Sequence, residues 1–123
     1  MLPVIISAVT ALSLATPKEI PNIDQNKYFA KEFMASTYAW NEEQFVCLDK
    51  LWQAESGWNH RAHNRSSGAY GIPQSLPGHK MKSAGSDWKT NPQTQIRWGL
   101  SYIKQRYSEP CGAWNHFQRK RWY

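Results

Sequence analysis

The stretch from residue 41 to residue 57, NEEQFVCLDKLWQAESG, predicts an amphipathic α-helix with defined ends. Asn41 can cap the first turn, where Glu42 and Glu43 suit the positive end of the helix dipole. The pair Ser56-Gly57 ends the helix. Residues at helical spacing share one face, and they are Phe45, Leu48, Leu51, Trp52 and Glu55. One carboxyl group therefore lies on an otherwise apolar face, in the last turn.

A carboxyl group in that position points to acid catalysis. Burial disfavours the charged form and raises the pKa, which is what a general acid at neutral pH requires. A glycosidic bond breaks to leave a poor alkoxide, so its cleavage needs a proton on the bridging oxygen. Glu55 is therefore a candidate general acid. The alternative is a structural ion pair between Glu55 and Arg61 or Arg97, because such pairs also shift pKa values.

The segments after this helix predict a mainly α-helical domain with one loop-rich stretch. Residues 57–90 contain repeated glycines and prolines, which favour loops. A second helix is predicted to begin at Asn91-Pro92 and to stop before Pro110-Cys111. A short element at residues 113–117 then precedes a basic tail. No convincing strand pattern accompanies these helices.

The chain before residue 40 divides into two parts. Residues 1–15 are apolar and uncharged. They are shorter than the roughly 20 residues of a membrane-spanning helix and suit the apolar region of a secretory signal. The end of a membrane anchor and a buried strand are the alternatives. Residues 16–39 predict a linker followed by a short amphipathic segment, and residues 40–123 predict the folded domain.

The cysteines favour export. The chain contains two cysteines, Cys47 and Cys111, which have neither Cys-x-x-Cys spacing nor metal partners. Because their number is even, we expect them to form one disulfide in an oxidising compartment. Two free buried thiols in a cytosolic protein are the alternative. The four histidines show no metal-binding spacing, and we expect neither a metal nor another cofactor.

Composition and charge narrow the class of partner. From residue 40 onward there are seven tryptophans and only four leucines, which predicts a small aromatic core and excludes a coiled coil or a polytopic membrane protein. The net charge is +6, yet residues 1–59 carry four basic and seven acidic side chains, whereas residues 60–123 carry eleven and two. The basic half suits an anionic partner, or serves only as a solubilising surface. Export argues against nucleic acid and favours anionic cell-wall polymers.

An ordered set of motifs carries a family resemblance across residues 44–123. The motifs are Glu55-Ser56-Gly57-Trp58-Asn59, GAYGIPQ at 68–74, Asn91-Pro92, QIRWGLSYI at 95–103, and Pro110-Cys111-Gly112-Ala113-Trp114. This set resembles the soluble lytic transglycosylase and goose-type lysozyme superfamily. It is most similar to the small secreted transglycosylase-like domains of actinobacteria and their phages. The resemblance implies a small lysozyme-like fold.

The resemblance also implies the site residues. Glu55 matches the single catalytic glutamate, and Gln74 matches the glutamine that lines the sugar cleft. Asn64 stands where relatives have a serine, which leaves Asn64, Ser66 or Ser67 to contact the reacting sugar. Tyr102 matches an aromatic residue near the glutamate, and Trp114 replaces a motif tyrosine. The predicted substrate-binding residues are Ser56, Trp58, Asn64, Ser66, Tyr70, Gln74, Tyr102 and Trp114.

The activity that follows from the resemblance is cleavage of the β-1,4 bond between N-acetylmuramic acid and N-acetylglucosamine in peptidoglycan. Glu55 would act alone as acid and then base, giving a 1,6-anhydro product. Asp87 is the only acidic residue between Glu55 and Glu109, and we interpret it as a loop or capping residue. The alternatives are a hydrolytic muramidase and a non-catalytic wall-binding domain. We expect a monomer that is secreted, wall-associated or tethered by its apolar leader.

Overall fold

The computed structural model describes residues 22–123, and within this range the chain is mainly helical. The predicted leader, and the linker up to residue 21, lie outside the described residues. The elements are α1 (Ile23–Tyr38), α2 (Glu42–Ser56), a 3-10 helix (Gly78–Ala84), α3 (Pro92–Tyr107) and α4 (Pro110–Lys120). The mainly α class with a loop-rich stretch after α2 is confirmed. No helix among residues 22–123 has the length and apolar character that a membrane crossing requires.

The ends of α2 and α3 are set by the predicted local signals. The side chain of Asn41 accepts a hydrogen bond of 3.2 Å from the backbone N–H of Gln44. Gly57 closes α2 in the left-handed conformation, with φ of 64°. Asn91 caps α3 through its side chain as well: Asn91 Oδ1 accepts a hydrogen bond of 2.9 Å from the backbone N–H of Gln93. Both helices therefore have the predicted ends.

Two helices are longer than the sequence patterns suggested. The element predicted at residues 113–117 is the eleven-residue helix α4. It starts at Pro110 because a proline fixes φ at a helical value and has no N–H to satisfy in the first turn. Helix α1 has 16 residues and buries Ala30 and Met34 completely in the common core. The core thus extends upstream of the predicted boundary at residue 40.

The disulfide joins Cys47 in the middle of α2 to Cys111 at the start of α4, and the predicted pairing is confirmed. The two cysteines are separated by 64 positions. Closing a loop of this length lowers the entropy of the unfolded chain, which stabilises the fold by about 4 kcal/mol. The bond fastens α4 against the helix that carries Glu55.

One buried amide organises the loops between α2 and α3. The Gln95 side chain accepts a hydrogen bond of 2.9 Å from the N–H of Ile72 and donates to the carbonyl groups of His60 and Trp88, at 3.0 and 2.9 Å. Gly71 permits this approach, because a Cβ atom there would lie 2.6 Å from Gln95 Oε1, and its φ is 83°. The irregular segment is therefore held to α3 by specific bonds rather than by regular strands.

Candidate active site

Glu55 lies in the last turn of α2, three residues after the fully buried Trp52, and its side chain is half-buried. Burial raises the pKa of its carboxyl group from the ordinary 4.5 to about 7. The alternative interpretation, an ion pair with Arg61 or Arg97, is not observed: the salt bridges among residues 22–123 join Lys27 to Asp49 and Lys31 to Glu42. The carboxyl group is thus desolvated without a compensating cation.

A surface cavity opens beside this carboxyl group, and we call it the Glu55 cavity. Its volume is about 220 Å³, less than the roughly 300 Å³ from which ligand pockets usually start. An extended ligand must therefore reach over its rim. The lining residues are Glu55, Asn64, Ser67, Ala69, Gln74, Leu76, Arg121, Trp122 and Tyr123.

The floor of the cavity carries fixed amide groups. Gln74 has a left-handed backbone, with φ of 54°, and its Nε2 donates to the carbonyl groups of Ala62 and Gly71 at 3.1 and 2.9 Å. Both amide protons are thereby used, which leaves Gln74 Oε1 as an acceptor for a ligand. Asn64 Oδ1 accepts from the backbone N–H groups of Ser66 and Ser67, at 2.9 and 3.1 Å. Its NH₂ group remains a donor.

One wall of the cavity is the side chain of Tyr123. Its hydroxyl accepts a hydrogen bond of 2.9 Å from Trp52 Nε1 and donates one of 2.8 Å to the carbonyl of Pro73. The Tyr102 hydroxyl donates to the backbone carbonyl of Tyr123 at 3.2 Å. Burial, and to a lesser degree the charge of Glu55, keep the pKa of Tyr123 well above its usual 10.0, so that the hydroxyl stays a donor. These bonds tie the tail to the helix that carries Glu55.

A second, smaller cavity lies beside the first one, and we call it the Trp98 cavity. Trp98 and Tyr102 lie stacked within it, with ring centroids 5.2 Å apart. It shares three lining residues with the Glu55 cavity, so the two lie side by side, and we call them together the cleft. Its lining residues are Pro73, Gln74, Ser75, Leu76, Lys80, Trp98, Tyr102 and Tyr123.

The cleft contains three of the eight predicted substrate-binding residues. Asn64 and Gln74 line the Glu55 cavity, and Tyr102 lines the Trp98 cavity. Of the serines that the sequence left open, Ser67 lies in the cavity, whereas Ser66 contributes its backbone N–H to the turn at Asn64. The Ser66 side chain is exposed and does not line the cavity, and its contact with sugar stays a prediction.

Two predicted contacts next to Glu55 are corrected because both side chains serve the fold. Trp58 is fully buried, and its Nε1 donates to Asp49 Oδ1 at 2.8 Å. Ser56 Oγ donates to the carbonyl of Ile72 at 2.7 Å, which joins the end of α2 to the loop. Neither side chain lines the cleft.

Tyr70 and Trp114 also lie outside the cleft. The Tyr70 hydroxyl donates to the carbonyl of Lys89 at 2.8 Å, and its ring meets Trp88 edge-on. Trp114 stacks on Phe117 along α4, with centroids 5.8 Å apart. The predictions for these two residues are therefore corrected: the Tyr70 ring packs against Trp88, and the Trp114 ring packs against the core beside Phe117 of its own helix.

The tail contributes to the site in a way that no sequence pattern predicted. Arg121, Trp122 and Tyr123 line the Glu55 cavity, although they appeared only as a basic tail in the sequence. The available signal was the aromatic pair at its end, since exposed tails seldom carry two large rings. The tail returns to the cleft because Arg121 adopts a left-handed conformation, with φ of 67°, that ends α4.

Glu55 is the only Asp or Glu side chain that lines either cavity in the described part of the chain. Asp87 accepts hydrogen bonds from Thr94 Oγ1 at 2.6 Å and from Asn91 Nδ2 at 2.8 Å. It therefore holds the segment before α3 through the side chains of Asn91, the capping residue, and Thr94. Among residues 22–123, no group of three His, Cys, Asp or Glu side chains is placed to hold a metal ion.

Comparison with known proteins gives one match. A family model described as "Transglycosylase SLT domain" matches residues 32–118. This range includes Glu55 and both cavities except the tail. No curated protein and no solved structure matches the chain.

Proposed function

The chain belongs to the transglycosylase SLT domain family, and on this premise we propose that it is a lytic transglycosylase with Glu55 as its one catalytic carboxyl group. At the level of the family, the function is cleavage of peptidoglycan. The bond that we assign is the β-1,4 linkage between N-acetylmuramic acid and N-acetylglucosamine. The observation that supports the proposal is the position of Glu55, a desolvated carboxyl group without a salt-bridge partner, at the wall of the cleft.

The first step is proton donation. With a pKa of about 7, Glu55 is protonated in a large fraction of molecules at neutral pH, whereas an ordinary glutamic acid is almost fully ionised. The protonated carboxyl group transfers its proton to the bridging oxygen while the bond from C1 of the muramoyl unit to that oxygen breaks. The N-acetylglucosamine unit leaves as a neutral alcohol.

The second step uses the same residue as a base. The Glu55 carboxylate takes the proton from the C6 hydroxyl of the muramoyl unit, and the C6 oxygen forms a bond to C1. The product is a 1,6-anhydro sugar, no water is consumed, and Glu55 regains its proton. The positive charge that develops at C1 between these steps is stabilised by the acetamido group of the substrate, and among the described residues no second Asp or Glu side chain lines the cleft.

The two adjacent cavities offer different groups to a glycan strand that lies over the cleft. The Glu55 cavity offers the acceptor Oε1 of Gln74 and the amide donor of Asn64 for hydroxyl and acetamido groups. The Trp98 cavity offers stacked aromatic rings and the cation of Lys80. A muramoyl unit carries a carboxylate, so the Lys80 side of the cleft suits an anionic substituent.

We also propose that the protein is secreted and that its basic residues attract it to the cell wall. A disulfide is stable in an oxidising compartment, which supports a secreted or wall-associated location. Arg119, Lys120 and Arg121 are exposed at the end of α4, beside the cleft. This basic edge would attract anionic wall polymers. Raising the salt concentration should therefore weaken wall association, and a flat salt response would leave only a solubilising role.

The decisive experiment is digestion of purified peptidoglycan followed by mass analysis of the sugar ends. We expect anhydro ends, which are lighter by one water than reducing ends, and we expect Glu55→Gln to release nothing. Glu43→Gln is the matched control, because Glu43 is an exposed acid in the first turn of the same helix. Reducing ends would make the protein a muramidase. Wall binding without release would make it a binding domain.

A further inference from the structure

Trp122 is the one tryptophan of the seven that is mostly exposed. Its side chain is 52 % exposed, whereas the other six tryptophans are buried or half-buried. It lines the Glu55 cavity at its rim. An exposed indole beside a candidate catalytic group offers an apolar face that a ligand in the same cavity can cover.

The indole is held in place by its neighbours. The His116 ring meets it edge-on, with centroids 4.5 Å apart at 76°, and His116 Nδ1 lies 2.9 Å from the backbone carbonyl of Trp122. On the next residue, the Tyr123 hydroxyl is bonded to Trp52 and Pro73. Because these contacts hold Trp122 and the residue after it, the indole loses little conformational entropy when a ligand stacks on its face.

We propose that Trp122 is a carbohydrate-binding platform on which a pyranose ring of a glycan strand stacks, next to the sugar bound at Glu55. This inference rests on the proposed function, since it takes the same glycan as its ligand. A pyranose presents C–H groups on its faces and hydroxyl groups around its edge. The indole covers a face, while Asn64, Ser67 and Gln74 supply polar partners in the same cavity.

The size of the cavity supports a platform at this position. A cavity of about 220 Å³ holds only part of a glycan strand, so the neighbouring sugar must lie across the rim. Trp122 forms that rim beside Glu55. The platform therefore adds affinity through a sugar that does not react, and we expect its loss to raise KM more than it lowers kcat.

The test measures binding separately from cleavage. Glycan strands freed of stem peptides are titrated by calorimetry into the inactive Glu55→Gln protein, with and without a second substitution. Trp122→Ala should weaken binding about tenfold, and Trp122→Phe should restore most of the affinity because it keeps an aromatic face. Tyr28→Ala is the matched control, because Tyr28 is an exposed aromatic residue of α1 outside the cleft. It should bind as tightly as the parent.

A spectroscopic measurement gives the second readout. A sugar that covers an exposed indole should shift the tryptophan emission to shorter wavelength, and this shift should vanish in Trp122→Phe. Circular dichroism of each variant establishes that it is folded. Unchanged affinity of the folded Trp122→Ala protein, or no glycan binding by the parent, overturns the platform.

The same data separate this inference from the proposed function. Trp122-dependent binding by a protein that releases no sugar ends supports the platform and contradicts the transglycosylase. Release of anhydro ends with equal KM for wild type and Trp122→Ala supports the transglycosylase and contradicts the platform.

Discussion

Trp52 Nε1 donates a hydrogen bond of 2.9 Å to the hydroxyl of Tyr123, and so joins two residues that are 71 positions apart. Trp52 lies one turn before Glu55 on α2, and Tyr123 lines the cavity into which Glu55 opens. The wall of the cleft is therefore fastened directly to the helix that carries the candidate acid. This link makes the tail a part of the site rather than an appendage.

Removal of the Tyr123 hydroxyl tests this link. Tyr123→Phe leaves the N–H of Trp52 and the carbonyl of Pro73 without their partner, at a cost of about 1–3 kcal/mol in the free energy of unfolding. Denaturant unfolding measures the loss, and the rate of peptidoglycan release should fall as the wall loosens. Tyr28→Phe removes an exposed hydroxyl and should change neither quantity. Equal stability of wild type and Tyr123→Phe would contradict the assigned hydrogen bonds.

The pKa of Glu55 predicts the alkaline limb of the activity profile. The acid must be protonated to begin the reaction, so kcat/KM should fall as the pH rises through about 7. An ordinary glutamic acid would place this fall near 4.5. The measurement is the initial rate of glycan cleavage against pH. Activity that declines already between pH 4 and 5 would show that Glu55 is not desolvated in the free enzyme.

The same shift predicts a pH-dependent stability. Because the folded pKa of Glu55 lies above its unfolded value of 4.5, the folded state binds the proton more tightly, and this contribution to stability is lost as the pH rises from about 4.5 to about 7. Glu55→Gln has no such proton to lose. The stability of Glu55→Gln relative to wild type should therefore increase over this range in parallel unfolding experiments. A constant difference between the two proteins would argue against the raised pKa.

The buried amide of Gln95 predicts a large loss of stability. Gln95→Leu leaves the N–H of Ile72 and the carbonyl groups of His60 and Trp88 unpaired. Each unpaired buried group costs about 1–3 kcal/mol, so we expect a loss of at least about 3 kcal/mol in the free energy of unfolding. Gln105→Leu, on the exposed face of the same helix, should stay within about 0.5 kcal/mol of wild type. Similar losses for both variants would refute the role of Gln95.

The disulfide predicts a separation of stability from activity. Replacement of both Cys47 and Cys111 by alanine should lower the free energy of unfolding by about 4 kcal/mol, because the unfolded chain regains the entropy of an open loop. Neither cysteine lines the cleft, so the folded variant should keep its cleavage rate at low temperature. Thermal unfolding of both proteins measures the loss of stability. The cleavage rate is compared at about 10 °C below the unfolding midpoint of the variant, where the variant is folded. An unchanged midpoint would sink the prediction.

The residues of the site that lie within one helix or one short motif could be predicted from the sequence. Glu55 and its burial follow from helical spacing within residues 41–57, and Gln74 follows from a short motif. The tryptophans were harder. Trp58 directly follows the glycine that ends α2 and has a left-handed backbone, with φ of 61°, and this turn directs its ring into the core against Trp52. No local pattern distinguishes such a ring from one that faces a ligand.

The amino-acid sequence by itself determined α2 and α3, their N-terminal caps and the carboxyl group on the apolar face of α2. These features depend on hydrogen bonds and side-chain spacing within a few residues of one another. Only the tertiary structure decided which rings line the cleft, because exposure is set by neighbours that are distant in the chain. Tyr123 meets Trp52 only after α4 has packed on α2 and Arg121 has turned the tail back. That return leaves Trp122 exposed beside Glu55, whereas the turn after Gly57 buries Trp58 where a sugar contact had been expected.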